Sequence, residues 1–177
     1  CQRLANLVRQ QEGEITLDAR VQALETRNDS VILKWSAGEV EAKHVINCGG
    51  LHCDRLTKLS GLRPTARIIP FRGEYYKLKP DFHHLCKNLI YPVPDPSFPF
   101  LGVHFTRMVH GGVECGPNAV LAFAREGYRR TDINPQDLLE SLTYPGFVRL
   151  AWKYWRTGLG EMWRSVSKQA FVRALQR

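Results

Sequence analysis

The stretch that decides the fold runs from His44 to Gly61 and reads HVINCGGLHCDRLTKLSG. Its first five residues are largely apolar and predict a strand, and residues 51–59 have the spacing of a helix. Two glycines between a strand and a helix allow a ligand's backbone or phosphate to come close. The stretch therefore predicts part of an α/β nucleotide-binding layer, although the Gly-x-Gly-x-x-Gly fingerprint occurs nowhere in the 177 residues.

The sequence on both sides of this stretch alternates between helix and strand patterns. Residues 1–11 predict an amphipathic helix, and short extended pieces separated by turn clusters follow it. Residues 67–79 read as a strand with alternating character. Residues 101–123 predict a second β region, and the His110-Gly111-Gly112 sequence inside it is typical of a hairpin turn.

The last third of the chain has helical patterns. Asn134-Pro135 predicts a helix cap with proline at the first helical position, and Pro145-Gly146 predicts a break. Two amphipathic helices are expected after it, over residues 147–159 and 161–177. Together the patterns predict an α/β fold with an α+β second lobe. The expected parts are a partial nucleotide-binding layer over residues 1–66, a mainly antiparallel sheet over residues 67–130 and a basic helical segment over residues 131–177.

Composition narrows the class of protein. Hydrophobic residues make up 44% of the chain and charged residues 24%, which is typical of a globular protein. No apolar run has the length of a membrane span. The chain begins with Cys1 inside a helical pattern, so we expect a piece of a longer protein. Five irregularly spaced cysteines favour a reduced, cytosolic setting over a disulfide framework or a zinc site, and no metal is expected.

The net charge of +8 is concentrated at the carboxyl-terminal end. From Ala151 onward six lysines and arginines stand against Glu161 alone. A functional interpretation of this charge is binding to an acidic partner, an anionic membrane surface or nucleic acid. The simpler interpretation is that the charged residues lie on solvated faces of surface helices. Because no nucleic-acid-binding motif accompanies the charge, we expect no nucleic-acid partner.

The stretch from Tyr91 to Thr106 reads YPVPDPSFPFLGVHFT, with four prolines and three phenylalanines. Such restricted backbone is typical of a loop that holds a fixed shape. We expect it to brace a strand on which His104 and Thr106 share one face, while Val103 and Phe105 share the other.

Several of these stretches resemble one enzyme family. VINCGGLHCDRLTKLSG, PFRGEYYKLKP, IYPVPDPSFPFLGVHFTRM and GPNAVLAFAREGY are similar to the L-2-hydroxyglutarate dehydrogenase/oxidase family. Its members are FAD-dependent enzymes of the D-amino-acid-oxidase-like superfamily, and TYPGFVRLAWKYWRTGLGEM resembles the bacterial branch. The resemblance covers nearly the whole chain and corresponds to the middle of such an enzyme. It implies a Rossmann-like FAD-binding layer, a separate substrate-binding sheet, and no turnover by the isolated chain.

The resemblance also implies roles for particular residues. A base takes the hydroxyl proton as hydride leaves C2 of the substrate for the flavin, and His104 is the candidate base. The alternatives for His104 are a pocket-lining group and a structural ring. The family also implies a histidine-containing stretch near the flavin in the amino-terminal part of such an enzyme, which is the alternative source of the base. Arg72 is the candidate fork for a substrate carboxylate, with an ion pair to Glu74 as the alternative. Further substrate-binding candidates are Tyr75, Thr106, Asn118 and Arg125. The FAD candidates are Asn47, Cys48, Gly49 and Gly50, with a plain strand-to-helix turn as the alternative.

The expected partners follow from the same resemblance. They are a dicarboxylate substrate, a quinone as electron acceptor, and a peripheral contact of an otherwise cytoplasmic protein with the inner membrane. The membrane contact would use the aromatic and basic segment WKYWRTGLGEMW. Packing of its tryptophans on the substrate-binding lobe is the alternative. The alternatives are an FAD-dependent oxidase of another 2-hydroxy acid or of an amino acid, and a non-catalytic module that binds membranes or anions.

Overall fold

The computed structural model describes residues 1–94 and 102–176 of the chain. Residues 95–101, which are the middle of the predicted proline-rich loop, lie outside the described residues. The chain divides into two compact units, Cys1–Arg67 and Ile68–Arg177. Helices and antiparallel strands occur together in both units, which confirms the mixed fold expected from the sequence.

The first unit contains a helix and a three-stranded meander. Helix α1 spans Gln2–Gln10. Strands β1 (Ala23–Arg27), β2 (Ser30–Trp35) and β3 (Gly38–Ala42) pair antiparallel in the order β1-β2-β3. Two residues separate each pair of neighbouring strands, and such short loops hold strands in a fixed hairpin register.

The deciding stretch folds only partly as expected. No strand forms over His44–Cys48, so that prediction was wrong, and Ile46 is 85% exposed. The physical reason is that a strand needs a neighbour to share its backbone hydrogen bonds, and none of the described strands pairs with this segment. The helical half is confirmed: a short 3₁₀ turn at Gly50–His52 leads into helix α2 at Cys53–Leu59.

The second unit is built around another antiparallel sheet. Strands β4 (Phe71–Lys77), β5 (His104–Arg107) and β6 (Val113–Leu121) have the order β4-β6-β5. The predicted hairpin joins β5 to β6, and Gly111 and Gly112 both have a φ of 91°. That backbone conformation strains other L-residues, which explains the glycine pair.

Strand β6 bulges where it passes β4. Gly116 and Pro117 lie opposite Tyr75 alone, because Glu74 pairs with Asn118 while Tyr76 pairs with Cys115. A Cβ at Gly116 would meet Cδ1 of Tyr75 at 2.7 Å and the carbonyl oxygen of Glu74 at 2.8 Å. The bulge therefore depends on glycine, and it increases the local twist beside Tyr75.

Three helices complete the second unit. Helix α3 spans Pro135–Leu142, and the Asn134 side chain caps it as predicted by accepting the backbone N–H groups of Gln136 and Asp137. Helix α4 spans Pro145–Val166 and helix α5 spans Lys168–Leu175.

The break between the two amphipathic segments does not fall at Gly160, where it was expected. The backbone of α4 instead deviates at Tyr154, and the helix ends at Val166, directly before Ser167, whose Oγ accepts the N–H of Ala170. A glycine inside a helix is tolerated, whereas a serine that can cap the next helix starts a new one. None of the described helices is long and apolar enough to cross a bilayer.

Helix α5 closes the core of the second unit. Phe171 is 1% exposed, and its ring lies 4.7 Å from that of Tyr76 on β4. Val113 and Cys115 of β6 are equally buried. The sheet is therefore held from one side by helices, which positions the end of α4 beside the middle of β4 and β6.

Candidate functional site

The turn before α2 is fixed by one side chain. Oδ1 of Asn47 accepts the N–H of Gly49 at 3.1 Å, and its Nδ2 donates to the carbonyl of Cys53 at 2.8 Å and to Oγ1 of Thr57 at 3.3 Å. Asn47 thus ties the turn to the helix that follows it, as asparagine does in Asx turns.

The two glycines of the turn have different physical roles. A Cβ at Gly49 would meet Cδ1 of Leu56 at 2.3 Å, so Gly49 allows the turn to pack on α2. Gly50 has a φ of 52°, and a Cβ there would meet no described atom within 4 Å. The Gly50 backbone and the exposed Cys48 therefore face open space, where a ligand can approach.

An apolar cavity of about 440 Å³ lies beside this turn within the first unit. Leu24, Val31 and Leu33 of the meander form one wall, and residues 45–48 form part of another. The polar residues of its lining are Thr26, Asn47, Thr57 and Ser60. A mostly apolar cavity with a few fixed polar groups is the usual form of a cofactor or small-molecule site.

A second, more open groove of about 440 Å³ lies in the second unit. It is lined by residues 72–76 of β4 and by residues 128–130. Arg72 lies in its wall, where Nη2 donates to Oε1 of Glu74 at 3.0 Å and Nη1 donates to the carbonyl of Arg129 at 3.0 Å. The ion pair with Glu74 is therefore present, and it fixes the guanidinium beside the groove.

Glu74 collects hydrogen bonds from four side chains. Besides Arg72, Oε1 accepts Oγ of Ser165 at 2.9 Å and Nε of Arg130 at 3.3 Å, and Oε2 accepts Nδ2 of Asn118 at 3.4 Å. Burial alone raises the pKa of this carboxyl group. The bonds from Ser165 and Arg72 and the charge of Arg130 outweigh burial, so the Glu74 pKa is lowered and the carboxylate stays ionised.

Asn118 is fully buried, and protein groups use its polar atoms. Nδ2 donates to the carbonyl of Glu161 at 2.9 Å, and Oδ1 accepts Nε of Arg164 at 3.1 Å. The Glu161 carboxylate accepts the N–H of Ala119 at 3.2 Å and pairs with Arg164. Burial nevertheless raises the pKa of Glu161, because desolvation exceeds the stabilisation by Arg164. Asn118 thus joins β6 to α4 behind the groove.

Arg125 lies in a different environment. It is buried, its backbone N–H donates to Oδ2 of Asp137 at 2.8 Å, and its Nη2 donates to Oε2 of Glu140 at 3.4 Å. Nε also lies 3.9 Å from Oδ1 of Asp137. These contacts join the end of the sheet to α3, and they do not include the residues that line the groove.

His104 and Thr106 lie on β5, which β6 separates from β4. Two strand spacings place them about 10 Å from the Arg72 strand. Nδ1 of His104 lies 3.0 Å from the carbonyl of Gly102, and its ring stacks on Tyr91 with centroids 4.2 Å apart. A carbonyl only accepts, so this hydrogen bond places the proton on Nδ1, and Nε2 of the neutral tautomer carries the lone pair.

The structure therefore brings some predicted site residues together and separates others. Arg72 and Tyr75 line one groove, and Asn118 lies behind it through Glu74. From the sequence, Glu74 is predicted only as an ion-pair partner of Arg72, and that ion pair is present. Its place at the centre of the cluster was not predicted, nor were the contributions of Arg130, Glu161 and Ser165. Only Glu74 had a usable signal, since it lies two residues from Arg72 and hence on the same face of a strand.

Comparison with known proteins identifies the family of this chain. The sequence profile of the family described as FAD dependent oxidoreductase matches residues 1–155. The chain belongs to that family. Among similar proteins, the L-2-hydroxyglutarate dehydrogenase of Indibacter alkaliphilus is 53% identical over 165 residues, which is 93% of this chain and 41% of that protein. The enzyme of that name from Escherichia coli K12 is 47% identical over 175 residues, 98% of this chain and 42% of that protein.

A mitochondrial relative extends the comparison beyond bacteria. The L-2-hydroxyglutarate dehydrogenase of Caenorhabditis elegans is 53% identical over 139 residues, 78% of this chain and 32% of that protein. This FAD-dependent oxidoreductase chain thus spans about two fifths of the length of the bacterial relatives it matches.

The family binds FAD. The open approach to the Gly50 backbone and the adjoining apolar cavity suit a flat ring system with polar edges. Asn47 holds the turn in this shape, so the residues present fit the cofactor.

Proposed function

We propose that the full-length protein oxidises L-2-hydroxyglutarate to 2-oxoglutarate. The observation that carries this proposal is the identity of 45–53% to proteins named L-2-hydroxyglutarate dehydrogenase, over alignments of 165 to 175 residues that include both units. When bound, FAD supplies the hydride acceptor for C2 of the substrate. The protein's part is to bind the acid, orient C2 and take the hydroxyl proton.

The groove of the second unit is the proposed place for the substrate. Arg72 offers a guanidinium already fixed by Glu74, which suits recognition of a carboxylate, and Tyr75 lines the same groove. His104 is the proposed base, because its Nε2 has a lone pair for the 2-hydroxyl proton, and Thr106 is a neighbouring donor on β5. We assign Asn118 and Arg125 supporting roles, since their polar groups bond to α4 and α3.

The turn of the first unit is the proposed contact for FAD. Asn47 shapes the turn, Gly49 packs it on α2, and Cys48 and Gly50 present backbone to the cofactor. The support is geometric: this backbone is open and lies next to an apolar cavity.

The proposal also includes the electron acceptor and a contact with the membrane. We infer that a quinone accepts the electrons and that an otherwise cytoplasmic protein touches the membrane surface through α4. The support is a helix on which Trp152, Trp155 and Trp163 are exposed beside Lys153 and Arg156.

Rapid-reaction measurement of flavin reduction in the full-length protein tests the function. L-2-hydroxyglutarate is compared with D-2-hydroxyglutarate, L-lactate, glycine and glycerol 3-phosphate. We expect the L-dicarboxylate to give the highest kcat/KM and to yield 2-oxoglutarate. Faster reduction by an amino acid or a monocarboxylate would assign another substrate, and no reduction by any of them would support a binding module. In His104→Asn, an unchanged rate of flavin reduction would remove His104 as the base.

A further inference from the structure

Two arginines in the groove share a single carboxylate oxygen. Nη2 of Arg72 lies 3.0 Å from Oε1 of Glu74, and Nε of Arg130 lies 3.3 Å from the same oxygen. The two guanidinium groups are 58 residues apart in sequence, yet Glu74 holds them side by side in the wall of one groove.

The charges in this wall do not cancel. Two guanidinium groups face one carboxylate, and Glu74 remains ionised at neutral pH because its pKa is lowered. Two other acids lie nearby. Glu161 pairs with Arg164 and accepts the N–H of Ala119, and Asp132 accepts the backbone N–H of Arg129, a third arginine of the lining. The groove wall around Arg72 and Arg130 therefore keeps an excess positive charge, which attracts an anion.

The arrangement is braced from α4 and leaves donors available. Ser165 donates Oγ to Glu74 at 2.9 Å, and its carbonyl accepts Nη2 of Arg130. A guanidinium has five N–H groups, and the hydrogen bonds of Arg72 and Arg130 to described residues use two on each. The Arg130 side chain is 58% exposed and lines the groove, so its remaining donors are accessible to a ligand.

We propose that Arg130 and Arg72, held side by side by Glu74, form a two-arginine clamp for a carboxylate of the substrate. Arg130 is then a substrate-binding residue, and Glu74 is the positioning residue that sets the spacing of the pair. The identity of the ligand as a dicarboxylic acid rests on the proposed function, but the clamp itself requires only a carboxylate. Two planar forks on one carboxylate give a stronger and more directional contact than one.

The test uses the full-length protein with Arg130→Gln, Arg130→Lys and Glu74→Gln. Glutarate, which has no hydroxyl group to oxidise, serves as the binding probe by calorimetry. We expect Arg130→Gln to weaken glutarate binding about tenfold or more and to raise KM for L-2-hydroxyglutarate by the same factor, with kcat changing about threefold or less. Arg130→Lys keeps the charge but loses the planar fork, so it restores only part of the affinity.

Arg149→Gln is the matched control, because it removes the same charge from an exposed position on α4 outside the groove. Circular dichroism and flavin content verify that each variant is folded. Unchanged glutarate binding in Arg130→Gln, or an equal loss in Arg149→Gln, would overturn the clamp while leaving the proposed function intact. If another carboxylic acid proves to be the substrate, a rise in its KM in Arg130→Gln alone supports the clamp without the proposed function.

Discussion

Glu74 shows how one side chain connects a strand to a helix far away in sequence. Its partner Ser165 lies 91 residues further along the chain, and its other partners come from β4, β6 and the segment after the sheet. A buried carboxylate is costly unless donors surround it. The surplus of donors around Glu74 is what makes its burial favourable.

Glu74→Gln is expected to destabilise the second unit by about 2 kcal/mol at neutral pH, because Arg72 and Arg130 then lose their counter-charge. The lowered pKa fixes the sign of the pH dependence. The ionised carboxylate stabilises the fold above its ordinary pKa of 4.5, and this contribution is lost as the pH falls through the lower folded-state value. Urea unfolding at several pH values measures the difference between wild type and variant.

That difference should be full at pH 7 and shrink steadily below about pH 4.5. Glu39→Gln is the matched control, since Glu39 is an exposed acid on β3 whose nearest cation, Nζ of Lys34, lies 4.0 Å away. A constant difference between wild type and Glu74→Gln down to pH 3 would contradict the assigned pKa direction.

The cysteines are expected to differ sharply in reactivity. Burial, reinforced by the nearby Cys86, raises the pKa of Cys115 to about 11, whereas Cys1 and Cys48 are exposed thiols. At pH 8 only on the order of one Cys115 thiol in a thousand is ionised. Iodoacetamide labelling read by mass spectrometry should therefore modify Cys48 in the native protein and leave Cys115 intact until urea is added. Labelling of Cys115 as fast as Cys48 would disprove this.

At the scale of elements, the bulge of β6 is sensitive to one added methyl group. Gly116→Ala is expected to destabilise the protein by about 2 kcal/mol, because the new Cβ would collide with Tyr75 and with the Glu74 backbone. Gly158→Ala on α4 is the control, since a Cβ there meets no described atom within 4 Å and alanine favours helix. Thermal unfolding compares the two, and equal midpoints would show that the bulge adapts.

The cap of α3 gives a second element-scale prediction. Asn134→Ala removes the acceptor for the N–H groups of Gln136 and Asp137 and should cost about 1 kcal/mol. Asn134→Ser keeps an oxygen at the cap and should retain most of the stability. Urea midpoints of the two variants test this, and equal losses would mean that the cap bonds contribute nothing.

The elements that the sequence predicted correctly are those defined by neighbours in the chain. The cap at Asn134, the glycine hairpin before β6 and helix α2 each depend on a few adjacent residues. The strand predicted over His44–Cys48 does not form, because strand pairing depends on a partner that is distant in the sequence. The clamp of Arg72 and Arg130 was missed for the same reason. It forms only when the segment that follows β6 folds back against β4 and brings Arg130 to Glu74.

At the scale of the whole molecule, basic residues and exposed apolar side chains occur together on helix α4. The chain has a net charge of +8. Helix α4 presents an exposed stripe at alternating spacings of four and three residues, and Lys153 and Arg156 lie along it. The stripe comprises Val148, Trp152, Trp155, Leu159, Met162 and Val166. Aromatic side chains between cations are typical of helices that lie in the headgroup region of a bilayer.

The proposed membrane contact predicts that the full-length protein binds vesicles containing anionic phosphatidylglycerol better than neutral ones. Trp152→Ser should weaken that binding about threefold or more, because Trp152 is 84% exposed and its loss removes buried area only at the membrane. Leu17→Ser is the control, since Leu17 is an apolar residue of the first unit with a similarly high exposure. Sedimentation with vesicles measures both, and raising the salt should weaken binding because the basic residues are then screened. Equal binding of wild type and Trp152→Ser would mean that α4 does not lie at the lipid surface, and its tryptophans would then need a protein surface to cover them.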